Sequence, residues 1–341
     1  MVKALRDLGH EVSFYDPVLP QELQQLRRTL HKLTPGRFAY RIDEPLRDLA
    51  GRRWLKSLRA FEPDLIAMEG CGIPPWAIAE AAVRRPVAYW FTFPPGWPEA
   101  MDSLWQAKQA THVFSMDRAW KRVIHYIVEA KIFDLPFGGD PDDFYPLDAA
   151  LRQDVDVVYV GSLTRGSPDG LIRAYWLERI AQKFSLAVFG QSADSWGRMF
   201  PRLAGAVRSS QPLAREQLNQ AYGSARIVLN IHTVQHEASL SARTFDIALA
   251  GAFQIGNYPS IVSDYFPGDI LPSFDTPERM IGLIEEWLRR PEDRAALAAQ
   301  ARREVKERHT WKHRAEAMLA TIATTSSTLP SDGAWNAAPR P

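Results

Sequence analysis

The densest run of chemically capable side chains is "LNIHTVQHEASLSARTFDIALAGAFQIGN", residues 229–257. A buried-strand signal ends at Asn230–Ile231. A loop then carries His232, His236, Glu237, Ser239 and Ser241, and a helix opens with Arg243 and Asp246 near its start. The free N–H groups and dipole of such a helix start favour an anion, and an acidic residue beside them can accept hydrogen bonds from sugar hydroxyls. A second candidate is "VVYVGSLTRG", where Gly161 and Ser162 follow a strand and Arg165 lies close behind. Glycine permits close backbone approach, and a guanidinium grips phosphate oxygens as a fork. The plainer alternative there is a tight turn with a surface arginine. His232 and His236 lie in a loop with no third ligand at recognisable spacing, so no metal site is expected. The sequence holds no G-x-S-x-G elbow, Walker A loop, H-E-x-x-H or C-x-x-C. Cys71 in "MEGCGIPP" reads as a small residue at a strand-to-helix turn, since nothing marks a base beside it.

The elements that must position these residues alternate between strand and helix. The first 15 residues predict a helix with Val2, Leu5 and Leu8 on one face, a stop at Gly9 and a strand over Val12–Tyr15. A helix in this place normally follows a strand and a glycine turn, so the chain is expected to lack its first strand. Residues 20–61 are polar and helical. Strand signals follow at Asp64–Met68, Val87–Phe91 and His112–Ser115, with a helix at Trp76–Val83. "YWFTFPPGWPEAMDSLW" (89–105) is too rich in proline to continue as a central strand and predicts a loop. "LPFGGDPDDFYPLD" (135–148) reads as a linker. A second set of strands is predicted at Val155–Val160, Ser185–Phe189, Arg226–Ile231 and Ala252–Ile255. After these come a helix over 277–290, capped by Thr276 and Pro277, and a long helix over roughly 291–322. The last 18 residues are small, polar and proline-rich, a composition that predicts disorder. Alternation of this kind marks parallel sheets covered by helices, in which ligands sit outside the carboxyl ends of the strands.

Composition bounds the possibilities. The 341 residues allow two domains, and 41 Lys+Arg against 40 Asp+Glu leave a net charge of +1, which excludes a basic face held on nucleic acid. A single cysteine excludes an internal disulfide. No apolar run approaches the length of a membrane span, and no signal-peptide core opens the chain, so a cytoplasmic setting is expected.

In order and spacing, these pieces resemble the GT-B-fold glycosyltransferases, in particular the CgeB-like group of spore-coat and bacterial glycan proteins related to the large retaining glycosyltransferases. "THVFSMD" with "LPFGGDPDDFYP" resembles the end of the first domain, and "DVDVVYVGSLTRG" the first strand and donor-side turn of the second. "LNQAYGSARIVLNIH" and "SARTFDIALAGAFQI" resemble the elements around the donor site, and "RHTWKHRAEAML" the final helix. The resemblance implies two Rossmann-like doubly wound α/β domains facing across a cleft. It divides the chain into an acceptor-side domain (1–147), a donor domain (148–309), a helix returning to the first domain (310–323) and a tail (324–341).

It also implies roles. Gly161 and Ser162 would approach the donor diphosphate, with Arg165, His232 and Ser241 also on the donor. Arg243 would be the arginine of the Arg-x-Phe-Glu pattern, and Asp246 stands where relatives carry a ribose-binding Glu. The sugar-contacting Glu of the wider group lies eight residues before that position. Here the count gives Ala238, with Glu237 adjacent, and Glu237 and Arg243 are the catalytic candidates. The activity implied is sugar transfer from a nucleotide-diphosphate sugar to an acceptor hydroxyl, retaining and metal-independent, with no cofactor beyond that co-substrate. The alternatives are a non-catalytic nucleotide-sugar-binding or partner subunit, and a sugar-nucleotide epimerase.

Overall fold

The computed structural model describes residues 1–16, 39–70, 72–95, 101–147, 155–233 and 236–326. The expectations for Cys71, for the segment from 148 to 154 and for the tail beyond 326 fall outside these residues. The chain divides into two compact units, one of residues 1–135 with the chain from Ala315 onward, the other of Pro136–Arg314.

In the first unit, helix α1 (Val2–Asp7) and helix α2 (Ala39–Phe61) precede β1 (Ile66–Glu69), α3 (Pro75–Ala82), β2 (Val87–Phe91), α4 (Met101–Ala107), β3 (His112–Ser115), the short α5 (Lys121–Ile124) and β4 (Ile132–Asp134). The strands form one parallel sheet in the order β1-β2-β3-β4, with Ile66 opposite Val87 and Ala88 opposite His112. Val12–Tyr15, predicted as a strand, pairs with no strand among the described residues. Phe14 is 71% exposed there while Tyr15 packs against the core beside Trp54 and Ile66, so the alternating pattern finds an apolar contact but no sheet edge.

The second unit contains β5 (Val155–Val160), α6 (Pro168–Ala181), β6 (Leu186–Phe189), α7 (Pro201–Ala206), β7 (Val207–Ser209), α8 (Arg215–Gly223), β8 (Ala225–Asn230), α9 (Ala242–Leu249), β9 (Gln254–Gly256), α10 (Val262–Tyr265), α11 (Pro277–Leu288) and α12 (Pro291–Arg308). Its parallel sheet runs β7-β6-β5-β8-β9, a doubly wound order that starts in the middle and grows to both sides. Along β5, Val157 and Tyr159 pack into one core and Val158 and Val160 into the other, the period-two split of a strand buried on both faces. Helix α11 closes one face as its pattern predicts. The Thr276 hydroxyl accepts the Arg279 N–H at 3.2 Å, and Met280, Leu283, Ile284 and Trp287 turn inward.

The single long helix predicted over 291–322 is instead two, α12 and α13 (Trp311–Ser326), broken at His309 and Thr310. There the Gly139 N–H donates to the His309 carbonyl, and the Trp311 N–H donates to the Gly139 carbonyl, both at 3.0 Å. A side chain at Gly138 would sit 2.9 Å from the Thr310 carbonyl carbon, so only glycine lets the two backbones touch. Residues 136–147, read as a linker in the sequence, thus belong to the second unit, with Phe144 buried in its core. On the far side of the break, Met318 and Ile322 of α13 pack with Ala88 and Phe114, inside the first unit.

Candidate functional site

The candidate residues gather where β5 and β8 end. Gly161 donates its N–H to the Phe189 carbonyl at 2.9 Å. A methyl at Gly161 would lie 2.5 Å from the Tyr159 hydroxyl and 3.1 Å from a terminal nitrogen of Arg243, so the turn and the guanidinium are in contact. Gly190, at the end of β6, backs onto the Gly161 carbonyl closely enough that any Cβ would collide with it. Ser162 shares a 2.8 Å hydrogen bond with the Thr164 hydroxyl, and its carbonyl accepts from the Arg173 guanidinium at 3.1 Å. Arg165 is exposed, and Glu237 is exposed on the loop before α9. The fold brings Gly161, Ser162, His232, Ser241 and Arg243 together and leaves Arg165 and Glu237 at the surface.

His232 is the buried centre of the group. Its Nε2 accepts the Ser241 N–H at 3.2 Å and lies 3.3 Å from the Thr244 hydroxyl, so the proton of the neutral ring belongs on Nδ1. No hydrogen bond of good geometry reaches that Nδ1. Burial holds the imidazole well below its ordinary pKa, helped by the charges of His236, Arg243 and Arg173, with the Asn230 backbone opposing weakly. The His232 backbone is clamped on Asn257, whose side-chain oxygen accepts the His232 N–H at 2.7 Å. Asn230 donates to Thr244 and Gln254, each at 3.0 Å, and the Tyr258 hydroxyl donates to Gln254 Oε1, leaving Asn230 Oδ1 without a donor.

Asp246 lies one turn beyond Arg243 on α9. Burial pushes its carboxyl up to about 8 against the pull of Arg243, with Asp143 raising it further. Among the described residues it holds no hydrogen bond or ion pair through its side chain, and neither Arg243 nor Arg173 has a carboxylate partner there. The Arg173 Nε and the Tyr159 hydroxyl are buried without hydrogen bonds. Among the described residues, then, two guanidinium groups without carboxylate partners, a buried imidazole and an underused carboxyl surround one glycine turn at the carboxyl end of the sheet. Among those residues no group of three or more His, Cys, Asp or Glu is placed to hold a metal ion, and no helix is long and apolar enough to cross a membrane.

Sequence reasoning missed Arg173, Asn230, Thr244 and Gln254. Arg173 did carry a signal, because it interrupts the inward stripe Gly170, Ala174, Leu177 and Ile180 of α6 with a charge. Gly190 in "VFGQS" was equally legible as a second glycine after a strand.

Comparison with known proteins adds an independent line. Residues 173–320 match the glycosyl transferase-like family model. Among solved structures, sucrose-phosphate synthase of Thermosynechococcus elongatus superposes with a TM-score of 0.63 at 13% identity, over 84% of this chain and 80% of that one. The UDP-forming α,α-trehalose-phosphate synthase of Burkholderia vietnamiensis gives 0.64 at 14% identity, over 87% and 80%. HepE of Anabaena, solved with UDP and glucose, gives 0.59 at 14% identity, over 82% of each chain. No curated protein matches by sequence. The chain has the GT-B fold, two Rossmann-like parallel α/β units, and the stretch that matches the glycosyl transferase-like family model falls mostly in its second unit.

Proposed function

We propose that the protein is a glycosyltransferase that takes a sugar from a nucleotide-diphosphate sugar. The observation that carries this reading is the pair of guanidinium groups, Arg173 and Arg243, set without carboxylate partners against the Gly161–Ser162 turn. Uncompensated cations at the carboxyl end of a parallel sheet are the arrangement that a diphosphate completes. Arg243 and the start of α9 grip the diphosphate, and Asp246 meets the ribose hydroxyls. The Burkholderia synthase is UDP-forming and the Anabaena protein is solved with UDP, which makes UDP-sugars the first donors to try.

In the reaction, the bond from the sugar's anomeric carbon to the diphosphate breaks as a bond to the acceptor oxygen forms. The acceptor proton passes to an oxygen of the departing diphosphate, so retention needs no protein base. Charge grows on the diphosphate in the transition state, and the fixed guanidinium groups and N–H donors are worth most at that moment. These cations take the place of a metal, and activity is expected to survive EDTA. Glu237 on the adjoining loop is the candidate for the sugar hydroxyls.

Calorimetric titration with UDP-glucose and other nucleotide sugars tests the donor assignment. Binding that disappears in Arg243→Ala supports it, and undiminished binding in that variant overturns it. Turnover is read as release of nucleoside diphosphate with candidate acceptors.

A further inference from the structure

At the opposite, amino end of the second sheet lies a cavity of about 540 Å³. It opens between α12, the first residues of β8 and the turn that joins α9 to β9. From the candidate donor site it is separated by the length of α9, whose eight residues span about 12 Å. Four arginines line it, Arg226, Arg294, Arg302 and Arg303, and among the described residues no Asp or Glu does. Among the described residues only Arg226 of the four has a carboxylate partner, Asp156, outside the lining. Arg294 is 6% exposed and donates to the Trp287 carbonyl, Arg302 donates to the Leu249 carbonyl at 3.2 Å, and Arg303 is exposed with no partner.

Carbonyl contacts cap the last turns of α9 and α11 but neutralise nothing. Three guanidinium charges therefore remain on the cavity wall. The buried Arg294 is held below the usual arginine range, first by burial and then by the charge of the neighbouring Arg226. The rest of the wall is apolar, with Ala298, Ala299, Phe253 and Tyr222.

We propose that this cavity is a second binding site, for a small organic phosphate carrying an apolar or aromatic part. A volume of this size suits a ligand of metabolite dimensions. A phosphate monoester, with nearly two negative charges at neutral pH, balances three guanidinium groups better than a carboxylate does. The apolar wall takes the remainder of the molecule. This site stands apart from the donor reading, since none of its four arginines is among the residues around Gly161 and Arg243; the one wall residue within reach of both is the buried Tyr222, whose hydroxyl feels the charges of Arg243 and Asp246.

The test is calorimetric titration of the full chain with 1-naphthyl phosphate. Two variants act on the cavity at exposed positions that hold no structural partner. Arg303→Ala removes one cation, and Ala299→Glu places a carboxylate among the others. Binding that survives in Arg243→Ala, weakens by about tenfold or more in both cavity variants and is absent for 1-naphthol supports the site. No binding to the wild-type chain, equal binding in both cavity variants, or complete loss in Arg243→Ala overturns it. Unchanged melting temperatures of the two cavity variants establish that the fold is intact.

Discussion

At the strand ends of the first unit, the Tyr89 hydroxyl donates to Gln106 Oε1 at 3.0 Å, and Gln106 in turn donates to the Ile73 carbonyl at 2.7 Å. The Ser115 hydroxyl donates to the Asp117 carbonyl at 2.8 Å. At the corresponding end of the second unit, the Tyr159 hydroxyl, Arg173 Nε, Asn230 Oδ1 and His232 Nδ1 are buried with no hydrogen bond. Among the described residues the first unit has one such atom, Thr92 Oγ1. Each orphaned buried polar atom costs about 1–3 kcal/mol. One sheet spends its polar groups on its own fold, and the other holds them ready at the carboxyl end, where α/β sheets take ligands.

The sharpest way to break this comparison is Arg243→Ala. It removes no internal hydrogen bond or ion pair, so the melting temperature of the free protein is expected to hold. Nucleotide-sugar affinity should fall by about 100-fold, the loss of one or two charge-assisted hydrogen bonds, and transfer by about 100- to 1,000-fold. A stability loss with unchanged affinity would make Arg243 a structural residue.

The two buried histidines of the second unit give the next effect. His309 is fully partnered. Its Nδ1 accepts from Arg314 at 3.0 Å, and its Nε2 donates to the Tyr265 carbonyl at 3.2 Å. Burial, with Arg314 next, lowers its pKa from 6.5 to about 4. The unfolded chain therefore binds the proton more readily, and stability is complete above pH 6.5 and is lost as pH falls towards 4. The loss is about 3 kcal/mol, and urea midpoints across that range measure it. In His309→Gln the acid sensitivity should shrink, whatever the variant's stability at pH 7.

Gly161→Ala follows in size. Its methyl would press on the Tyr159 hydroxyl at 2.5 Å and on Arg243 at 3.1 Å, costing about 1–3 kcal/mol of stability by overpacking and displacing the guanidinium from the donor. Normal donor affinity in this variant would detach the turn from the site.

These residues were unequally legible in the sequence. Both sheets were readable because parallel strands buried on two faces are short continuous apolar runs, as at Val155–Val160 and Val87–Phe91. The glycine turn and the Ser241–Asp246 helix start were readable because they follow such runs directly. The break between α12 and α13 was not, since the sequence around His309 carries no helix breaker and the cause is a distant backbone, Gly138–Gly139. Val12–Tyr15 misled because alternation reports a suitable pattern and not the presence of a neighbouring strand. Arg173 and Gln254 join the site through contacts across 11 and 10 residues, to Ser162 and Thr244, which no local period encodes.

Asp246 gives a smaller effect of the opposite sign from His309. Its carboxyl is raised from 3.8 to about 8 in the folded protein, so the folded state binds the proton more tightly and loses stability as pH rises from about 4 to 8. Asp246→Asn removes that penalty. Because solvent reaches part of the side chain, the gain at pH 8 is expected to be about 1–2 kcal/mol, seen as a higher melting temperature, while nucleotide affinity falls. Gain of stability with loss of binding is the signature of a group kept for a ligand at the expense of the fold.

The smallest expected effect is the control from the first unit. Tyr89→Phe deletes the hydroxyl that donates to Gln106 and leaves the ring in its core. The Gln106 oxygen then loses a donor, and stability should fall by about 1 kcal/mol with no change in donor affinity. Tyr159→Phe, its counterpart on β5, removes a hydroxyl that bonds to nothing in the free protein. That change should leave stability level or raise it, and weaken donor binding only if the hydroxyl meets the ligand. The same chemical deletion in the two sheets thus separates a polar group that serves the fold from one reserved for the site. Equal stability losses in the two variants would erase the distinction between the units.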